Sequence, residues 1–465
     1  MLEHRLACLK TFREMEYPTW GPDISGIIEM IEEGKTPHPN PSPCSLSSVA
    51  GEGLNTDLTS LSFKEREGKS EVLKKEVGGG VKKGEDKKGN SLVRYAKPSS
   101  DSEGYANSWD EVPDEIKEKF ERLGIPEAER KYLAGAGGQF DSQTVYHQIK
   151  EKRAQQGIIF EDMAKALQTH GDLIKKYFMK LVPATDHKFA ALHGAVWSGG
   201  TFIYVPKGVK VTDPLQAYFR MNTYAGGQFE HTLIIVEDDA SMSYIEGCSA
   251  PKFDKNSLHA GLVELFVGKN AFMKYSSVEN WSTNTYNLNT KRALVKENAH
   301  VQRVGGNLGS CTTMLYPCSI LQGDNSKAEH LGVAVAGKDQ NQDVGSKVIH
   351  IGKNTSSTIV SKSISKDGGI STYRGMVKMM KTAEDAVNST ECDALLLDDQ
   401  SVSTTIPHID CQVDSGVVAH EASAGKVDEE KLFYLTSRGV DEEKAMGMIV
   451  NGFFADIVKK LPLEY

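Results

Sequence analysis

The stretch Val236-Glu-Asp-Asp-Ala240 decides the fold, because its pattern of a strand-ending apolar residue, polar turn residues and a small residue recurs four times. The later copies are Val267-Gly-Lys-Asn-Ala271, Val295-Lys-Glu-Asn-Ala299, Leu321-Gln-Gly-Asp-Asn325 and Ile351-Gly-Lys-Asn-Thr355. Their first residues are 31, 28, 26 and 30 positions apart. A period near thirty, with at least two short strands per unit, predicts a β-solenoid whose coils stack around one core. A β-sandwich of hairpins is the competing interpretation, but sandwiches rarely keep so regular a spacing.

The strand-like region covers residues 189–425, and the segments before it read mostly as helix. Residues 1–34 are predicted to form short N-terminal helices, with Leu2, Leu6, Leu9 and Phe12 on one face of the first. Residues 35–90 are rich in Pro, Gly, Ser, Lys and Glu, which predicts a disordered insertion that cannot offset its ordering entropy. Residues 91–188 are predicted to be a helical N-terminal domain, including helices over 142–155 and 159–181.

Residues 426–465 return to a helical pattern. Asp428 is placed to cap a helix that ends at Gly439, and Asp441 to cap a second helix that runs through Val458. The apolar residues exceed what a terminal helical hairpin needs for its own core: Phe433, Ile449, Phe453, Phe454 and Ile457. The excess is explained either by docking onto the solenoid or by a protein-binding surface.

The composition excludes several classes of protein. A formal net charge of −9 argues against a nucleic-acid binder that works through bulk charge. Seven scattered cysteines without a CxxC pair predict neither a disulfide framework nor a structural zinc site, and they favour a reducing, cytoplasmic compartment. The N-terminus alternates charged and apolar residues, unlike a signal peptide, and no apolar run is long enough to span a membrane. The motifs of P-loop ATPases, GxSxG hydrolases and HExxH metalloproteases are lacking, so the chain itself is predicted not to hydrolyse ATP.

Cys392 and the pair His420-Glu421 are the first candidates for chemistry. Each lies in a strand-like stretch, and thiol, imidazole and carboxylate groups are ligands of soft and borderline metals such as iron. The ordinary interpretation of a lone strand cysteine is a small buried hydrophobe. Because adjacent strand residues face opposite sides, only one of His420 and Glu421 is expected to face Cys392. Cys248, between a Gly and a Ser-Ala-Pro stretch, is placed at a strand end where a thiol could be reachable.

Seven motifs in this chain closely resemble the SufB/SufD family, and within it the SufB scaffold subunits of the SUF iron–sulfur cluster assembly system. The similarity covers nearly the whole chain outside residues 35–90. The motifs are Ser108-Trp-Asp-Glu-Val-Pro113, Ala195-Val-Trp-Ser-Gly-Gly-Thr-Phe-Ile-Tyr-Val-Pro-Lys-Gly-Val209, Pro214-Leu-Gln-Ala-Tyr-Phe-Arg220, Glu246-Gly-Cys-Ser-Ala-Pro251, His350-Ile-Gly-Lys-Asn-Thr355, Ser371-Thr-Tyr-Arg-Gly375 and Met448-Ile-Val-Asn-Gly-Phe453.

The resemblance implies a mainly β chain: a right-handed parallel β-helix flanked by an N-terminal helical subdomain and a C-terminal helical segment. It implies a complex with the paralogue SufD, contacted through the last strands of the β-helix, and with the ATPase SufC, docked on residues 428–461. Sulfur is then expected as persulfide from a cysteine desulfurase through a SufE- or SufU-type carrier. No nucleic acid or membrane is expected as a partner.

The resemblance also implies roles for four residues. Cys392 matches the scaffold cysteine, Glu421 the essential carboxylate and His420 the histidine beside it, which together are the expected ligands of a transient iron–sulfur cluster. Cys248 resembles the cysteine that first receives sulfur. Ala419 stands where family members often carry a glutamate, so the missing ligands are expected from a partner. The family also raises the binding of reduced flavin, which the sequence leaves open.

Two other functions remain open at this stage. One is a SufD-like structural subunit without cluster chemistry of its own, against which the motifs around Cys392 and Cys248 argue. The other is a carbohydrate-active β-helix enzyme, which needs a groove of acidic and basic residues that the sequence does not display. The favoured function is a non-catalytic scaffold that receives iron and sulfur and builds a nascent cluster for transfer to apo-proteins.

Overall fold

The computed structural model describes residues 1–25, 28, 135–140, 143–149, 154–221, 227–250 and 256–458, with the backbone alone for 135–140 and 143–149. Its centre is a parallel β-solenoid formed by two long sheets, with helices towards both chain ends. The predicted solenoid and the mainly β fold class are confirmed. The predicted insertion over 35–90, residues 91–134 of the predicted helical domain and most of the second N-terminal helix lie outside the described residues.

The first sheet has ten strands in the order β2-β1-β5-β8-β11-β14-β17-β19-β21-β23. Only β1 and β2 are antiparallel within it, and from β5 to β23 every described pairing is parallel. The strands are β1 Gly135–Phe140, β2 Gln143–Ile149, β5 Leu215–Arg220, β8 Ser241–Ser249, β11 Phe272–Trp281, β14 His300–Gly309, β17 Lys327–Ala336, β19 Ser356–Ser365, β21 Val387–Leu396 and β23 Val417–Lys426.

The second sheet has thirteen strands and forms the opposite wall of the solenoid. Each early coil contributes two short strands to this sheet, so the sheet begins as two rows of strands. The longer β18 pairs with both β15 and β16, and the two rows join there. The strands are β3 Ile159–Asp162, β4 Thr201–Val205, β6 Gly227–Gln228, β7 His231–Val236, β9 Ser257–His259, β10 Leu262–Val267, β12 Thr285–Asn287, β13 Thr290–Val295, β15 Thr312–Leu315, β16 Cys318–Leu321, β18 Asn341–His350, β20 Ile370–Met379 and β22 Val402–Cys411.

The repeated turns owe their regularity to Asp and Asn residues in the left-handed backbone region. Asp239, Asn270, Asn298, Asn325 and Asn354 have φ between 53° and 60°, a conformation that short polar side chains tolerate better than most. The Asn270 amide donates to Asp239 at 2.9 Å, Asn298 donates to Asn270 at 3.0 Å, and Asn325 donates to Asn298 at 3.0 Å. Each turn therefore fixes the position of the next one, which explains the period of the sequence.

The inner faces of the two sheets enclose a continuous core that runs from Ile158 to Cys392. Side chains alternate along each strand, so that in β13 the buried Lys291, Ala293 and Val295 face inward. Large aromatic side chains such as Tyr244, Tyr275 and Trp281 fill the interior. The lumen of the solenoid is thus packed, with polar groups embedded at defined rungs.

The N-terminal region contains more strand than the sequence predicts. Helix α1 spans Leu2–Glu14, as predicted, but it buries Cys8 and Phe12, whereas Leu2 and Leu6 are about half exposed. The helix predicted over 142–155 is wrong, because β2 occupies Gln143–Ile149 and pairs with β1, which extends the first sheet. Within 159–181, β3 precedes two short helices, α2 Met163–Thr169 and α3 Gly171–Tyr177.

The start of the strand region is also later than predicted. Residues predicted as strand from position 189 form helix α4, Lys188–Val196, which is capped by the His187 side chain and is almost entirely buried. Its run of small and apolar residues has no polar face, so its periodicity cannot be told from that of a buried strand. The first solenoid strand after it is β4.

The C-terminal helices match the predicted ends closely. Helix α5 spans Glu429–Ser437 with Asp428 as its N-cap, and Gly439 at φ 84° follows it. Helix α6 spans Glu442–Val458 and packs Phe454 and Ile457 against the outer face of the first sheet, beside Val304 and Leu331. Helix α5 buries none of its residues. The first interpretation, docking on the solenoid, therefore holds for α6, and α5 keeps an exposed apolar surface.

Candidate functional site

Cys392 lies in β21, near the end of the solenoid, with its side chain on the inward face. The residue is 3% exposed and belongs to the continuous core. It lies opposite Ser361 of β19 and Ala422 of β23. Beyond β23 the first sheet has no further described strand, so only one rung separates Cys392 from the end of the solenoid.

His420 is the predicted partner that faces Cys392. Its Nε2 lies 3.6 Å from the Cys392 Sγ, and burial lowers the pKa of the imidazole. Glu421 is exposed and lies in register with the exposed Glu391 on the opposite face of the strand. The alternation argument is therefore confirmed: the structure brings Cys392 and His420 together and points Glu421 away from them.

Tyr373 is a third member of the site that residue-by-residue reasoning did not single out. It is 7% exposed, and its ring lies 6.4 Å from the His420 ring. Its hydroxyl has no hydrogen-bond partner among the described residues, but it lies near enough to the Cys392 thiol to affect the pKa of that thiol. In the sequence, Tyr373 is marked only by its place in the motif Ser371–Gly375, which carries part of the family resemblance.

The environment of Cys392 keeps the thiol protonated at neutral pH. Burial raises its pKa to about 12, and the Tyr373 hydroxyl opposes that rise only in part. Asp393 and Glu391 raise the pKa further through their negative charges. Because the thiolate is the nucleophile and the metal ligand, the isolated chain holds this cysteine in its unreactive form.

The pH dependence of alkylation checks this directly. Between about pH 9 and 11 we expect the rate of Cys392 alkylation by iodoacetamide to rise roughly tenfold per pH unit, because only the thiolate reacts. In the urea-unfolded chain the rate should level off above about pH 9, near the ordinary thiol pKa. Peptide mass spectrometry separates Cys392 from the other cysteines. A plateau near pH 9 in the folded chain contradicts the raised pKa.

The chain supplies few metal donors at this point. Cys392 Sγ and His420 Nε2 form a pair of soft and borderline ligands that suits iron or a sulfide-bridged cluster. Within the described ranges, no group of three or more His, Cys, Asp or Glu side chains is arranged to hold a metal ion. A cluster needs more donors than this pair provides, so the arrangement fits a site that is completed from outside.

Cys248 lies near the end of β8, but the prediction of a reachable thiol is wrong. The residue is 2% exposed, since β5 and β11 flank it and the core encloses its side chain. Burial raises the pKa of the thiol well above its usual value, and Glu246 adds to the rise. A sulfur donor therefore reaches this thiol only if the surrounding strands or their loops move.

The buried Lys291 and two glutamates form an ion-pair cluster in the lumen near Cys248, here called the ionic centre. Lys291 Nζ lies 2.5 Å from a Glu279 carboxylate oxygen, 3.4 Å from a Glu246 oxygen and 3.1 Å from Ser277 Oγ. Burial alone would lower the pKa of Lys291, but the charges of Glu279 and Glu246 outweigh that effect and raise it. The lysine is thus held as a cation at 2% exposure.

A row of small residues runs along the lumen from Cys392 towards β8, where it meets Glu246, two residues before Cys248. Cys248 and Cys392 lie on β8 and β21, five strand spacings apart in the first sheet, which corresponds to about 24 Å. At the level of Cys392 the intervening strands contribute, in register, Ser277, Gly305, Gly332 and Ser361. A Cβ atom on Gly332 would meet nothing within 4 Å, and one on Gly305 would meet only Ser277 Oγ at 3.9 Å. This row leaves space along the solenoid axis.

The other described cysteines lie away from this row. Cys311 and Cys318 are buried, and Cys411 is exposed and contacts Met379. All six described cysteines are free thiols, which agrees with the prediction that the chain has no disulfide framework.

Two family descriptions match this chain. Residues 138–217 match the SufBD protein N-terminal region, and residues 219–453 match the SUF system FeS cluster assembly SufBD core domain. The chain belongs to the SufBD family. It is therefore an iron–sulfur cluster assembly protein of the SUF system, and the predicted resemblance is confirmed.

Curated SufBD proteins resemble the chain over most of their length. The iron–sulfur cluster assembly protein SufB of Bacillus subtilis (strain 168) is 53% identical over 376 residues, covering 81% of this chain and 80% of the relative. SufBD family proteins of Staphylococcus saprophyticus and Staphylococcus aureus (strain MRSA252) are 52% and 53% identical with the same coverage. In the described part of this SufBD chain, none of the helices combines the length and apolarity needed to cross a bilayer.

Proposed function

We propose that this SufBD protein is the scaffold on which a nascent iron–sulfur cluster is assembled. The observation that carries the proposal is the Cys392–His420 pair, 3.6 Å apart, one rung from the end of the solenoid. A thiolate accepts persulfide sulfur and also binds iron, and a neutral imidazole adds a borderline nitrogen ligand. Iron and sulfur are here the substrates, and the chain itself hydrolyses no ATP.

Sulfur enters at Cys248 and is used at Cys392. A cysteine desulfurase, through a SufE- or SufU-type carrier, delivers it as persulfide to Cys248 by thiol–persulfide exchange. The separation of about 24 Å is too long for direct exchange between the two thiols. The row of Ser277, Gly305, Gly332 and Ser361 supports a route through the lumen from Cys392 to the level of Glu246 on β8, two residues from Cys248.

The missing ligands come from the SufD paralogue, which contacts the last strands. These strands present apolar side chains that are more than a third exposed, an arrangement typical of a protein interface. They are Val387, Val402, Ile406, Ile409 and Val417. Glu421 lies on the exposed face of β23, where it is available to an interface rather than to the lumen. Its carboxylate acts there as a hard and exchangeable ligand, which a scaffold needs in order to release its product.

The ATPase SufC docks on the C-terminal segment 428–461. The support is helix α5, whose Phe433 and Tyr434 are 72% and 56% exposed although helix α6 is anchored on the solenoid. ATP binding by SufC then drives a rearrangement that exposes Cys392. Exposure also removes the burial that holds the thiol protonated, so the same movement activates the nucleophile.

Anaerobic co-purification tests this function. The chain co-expressed with SufC and SufD is expected to elute as one complex containing iron and acid-labile sulfide, and a complex without either contradicts the scaffold role and favours the SufD-like structural alternative. Phe433→Ser with Tyr434→Ser should remove SufC from the complex, because aromatic residues of this exposure are typical interface anchors. Leu6→Ser, on a half-exposed apolar position of α1, is the control and should retain SufC.

A further inference from the structure

Arg303 lies in the lumen with no charge partner in contact. It is 4% exposed, and none of Nε, Nη1 and Nη2 has a hydrogen-bond partner among the described residues. Its guanidinium instead stands 5.7 Å from the centre of the Tyr275 ring. Buried donors without partners are costly, and a buried charge without partners costs more. Such a group points to a ligand of opposite charge.

The neighbouring charged side chains in the lumen do not hydrogen-bond to Arg303. Lys291 is engaged by Glu246 and Glu279 together, and Tyr275 donates to Glu246 at 2.6 Å. Neither carboxylate has a hydrogen bond to Arg303. The charge of Glu246 acts on Arg303 only from a distance, since the guanidinium has no described hydrogen-bond partner and Glu246 Oε2 has none either.

The side chain of Arg303 lines a small cavity. The cavity measures about 50 Å³ and is also lined by Lys291, His330, Ser277 and Ser361. One water needs roughly 10–15 Å³ by this kind of measure, so a small ion fits together with water. His330, in register with Arg303 on β17, has its Nε2 2.8 Å from Ser319 Oγ and its Nδ1 without a described partner.

We propose that Arg303 and His330 form a binding site for one small monovalent inorganic anion inside the solenoid, and that hydrosulfide is its ligand in the function proposed above. The site lies on β14 and β17, between the strands of Cys248 and Cys392 and beside the glycines that open the lumen. A guanidinium is more weakly hydrated than an ammonium and suits a soft anion. The hydrosulfide identity rests on the proposed function, whereas the anion site itself does not.

Hydrosulfide forms when a free thiol attacks the inner sulfur of a Cys248 persulfide: the bond to the outer sulfur breaks, a disulfide forms between Cys248 and the thiol, and the outer sulfur leaves as hydrosulfide. The attacking thiol supplies the two electrons in this step. Binding of the released hydrosulfide at Arg303 is then non-covalent and involves no further redox change.

Bromide binding to the isolated full-length chain tests the site. In halide-free buffer, added bromide should show excess NMR line broadening with wild-type protein, and the melting temperature should rise with the logarithm of the bromide concentration once that concentration exceeds Kd. Arg303→Met should weaken binding about tenfold or more, because hydrogen bonds to a charged group contribute that much. Because Glu246 loses a neighbouring cation in the Met variant, the melting temperature of that variant without bromide is the baseline against which its own bromide-induced shift is measured. Arg303→Lys keeps the charge and should retain weaker binding.

Arg438→Met, at an exposed arginine that follows the last residue of α5, is the control and should bind bromide as wild type does. Absence of excess broadening in wild type, with water alone in the cavity, overturns the anion site. Anaerobic sodium hydrosulfide should displace the bromide, and a bromide signal that hydrosulfide leaves unchanged overturns the sulfur ligand. The bromide experiment needs neither a partner protein nor an assembled cluster. A failed test of the scaffold function and a failed test of the anion site can therefore be told apart.

Discussion

Cys392→Ala is expected to abolish iron–sulfur cluster assembly in a cell that depends on this protein. The substitution removes the thiol that receives sulfur and the soft ligand that faces His420. The measurements are growth complementation, and iron and sulfide in the purified complex. The side chain is small and alanine fits the same inward position, so the chain should still fold and bind its partners.

Three further substitutions are compared with Cys392→Ala. Cys411→Ala and Cys44→Ala should complement fully, since Cys411 is exposed and distant from the lumenal row and Cys44 falls in the insertion. Glu421→Ala should also abolish assembly, but it should leave the alkylation rate of Cys392 unchanged because the carboxylate points away from the thiol. Full complementation by Cys392→Ala contradicts the site assignment. A changed alkylation rate in Glu421→Ala contradicts the view that this residue acts through the interface.

Lys291→Met is expected to have the largest effect on stability. Removing the cation leaves Glu279 and Glu246 buried without their counter-charge, and breaking a buried ion pair in this way costs about 3–5 kcal/mol of unfolding free energy. Burial would raise the pKa of Glu279, and Lys291 reverses that effect and lowers it. In the Met variant both acids should take up protons, so its stability deficit should shrink as the pH falls. Urea unfolding between pH 5 and 8 measures this.

Lys269 provides the matched control for that prediction. It bonds to Glu297 at 2.9 Å across neighbouring turns, but both side chains are about half exposed. Exposed pairs contribute little, so Lys269→Met should leave the urea midpoint unchanged. Adding Glu279→Gln and Glu246→Gln to Lys291→Met should recover part of the loss. Equal midpoints for Lys291→Met and wild type contradict the ionic centre.

The sequence predicted those parts of the fold that depend on local chemistry. The Asp and Asn turns revealed the solenoid because each must accept a positive φ, and Asp428 and Gly439 marked the ends of α5 because caps are local. The helix assignments over 142–155 and the strand from 189 failed for a different reason. There β1 supplies the pairing that holds β2 as a strand, and the core encloses α4 on all sides, so tertiary packing overrides what periodicity can indicate.

The candidate site was predictable in part. Strand alternation was sufficient to assign one of His420 and Glu421 to the lumen, because the side-chain period is fixed at two. The contribution of Tyr373 was not predictable, since it depends on which coil lies opposite β21. The burial of Cys248 was missed because its flanking Gly and Pro indicate a turn, whereas β5 and β11 continue past it on both sides.

The stacked Asp and Asn turns restrict the distances that can separate Cys248 and Cys392. Each coil adds one strand spacing, about 4.8 Å, and side-chain hydrogen bonds join the turns of Asp239, Asn270, Asn298 and Asn325 in series. The separation of Cys248 and Cys392 is therefore an integer number of coils. Insertion or deletion of single residues would shift the inward row to the outer face, so the length of the lumen can vary only in whole-coil steps. The solenoid thus acts as a molecular ruler.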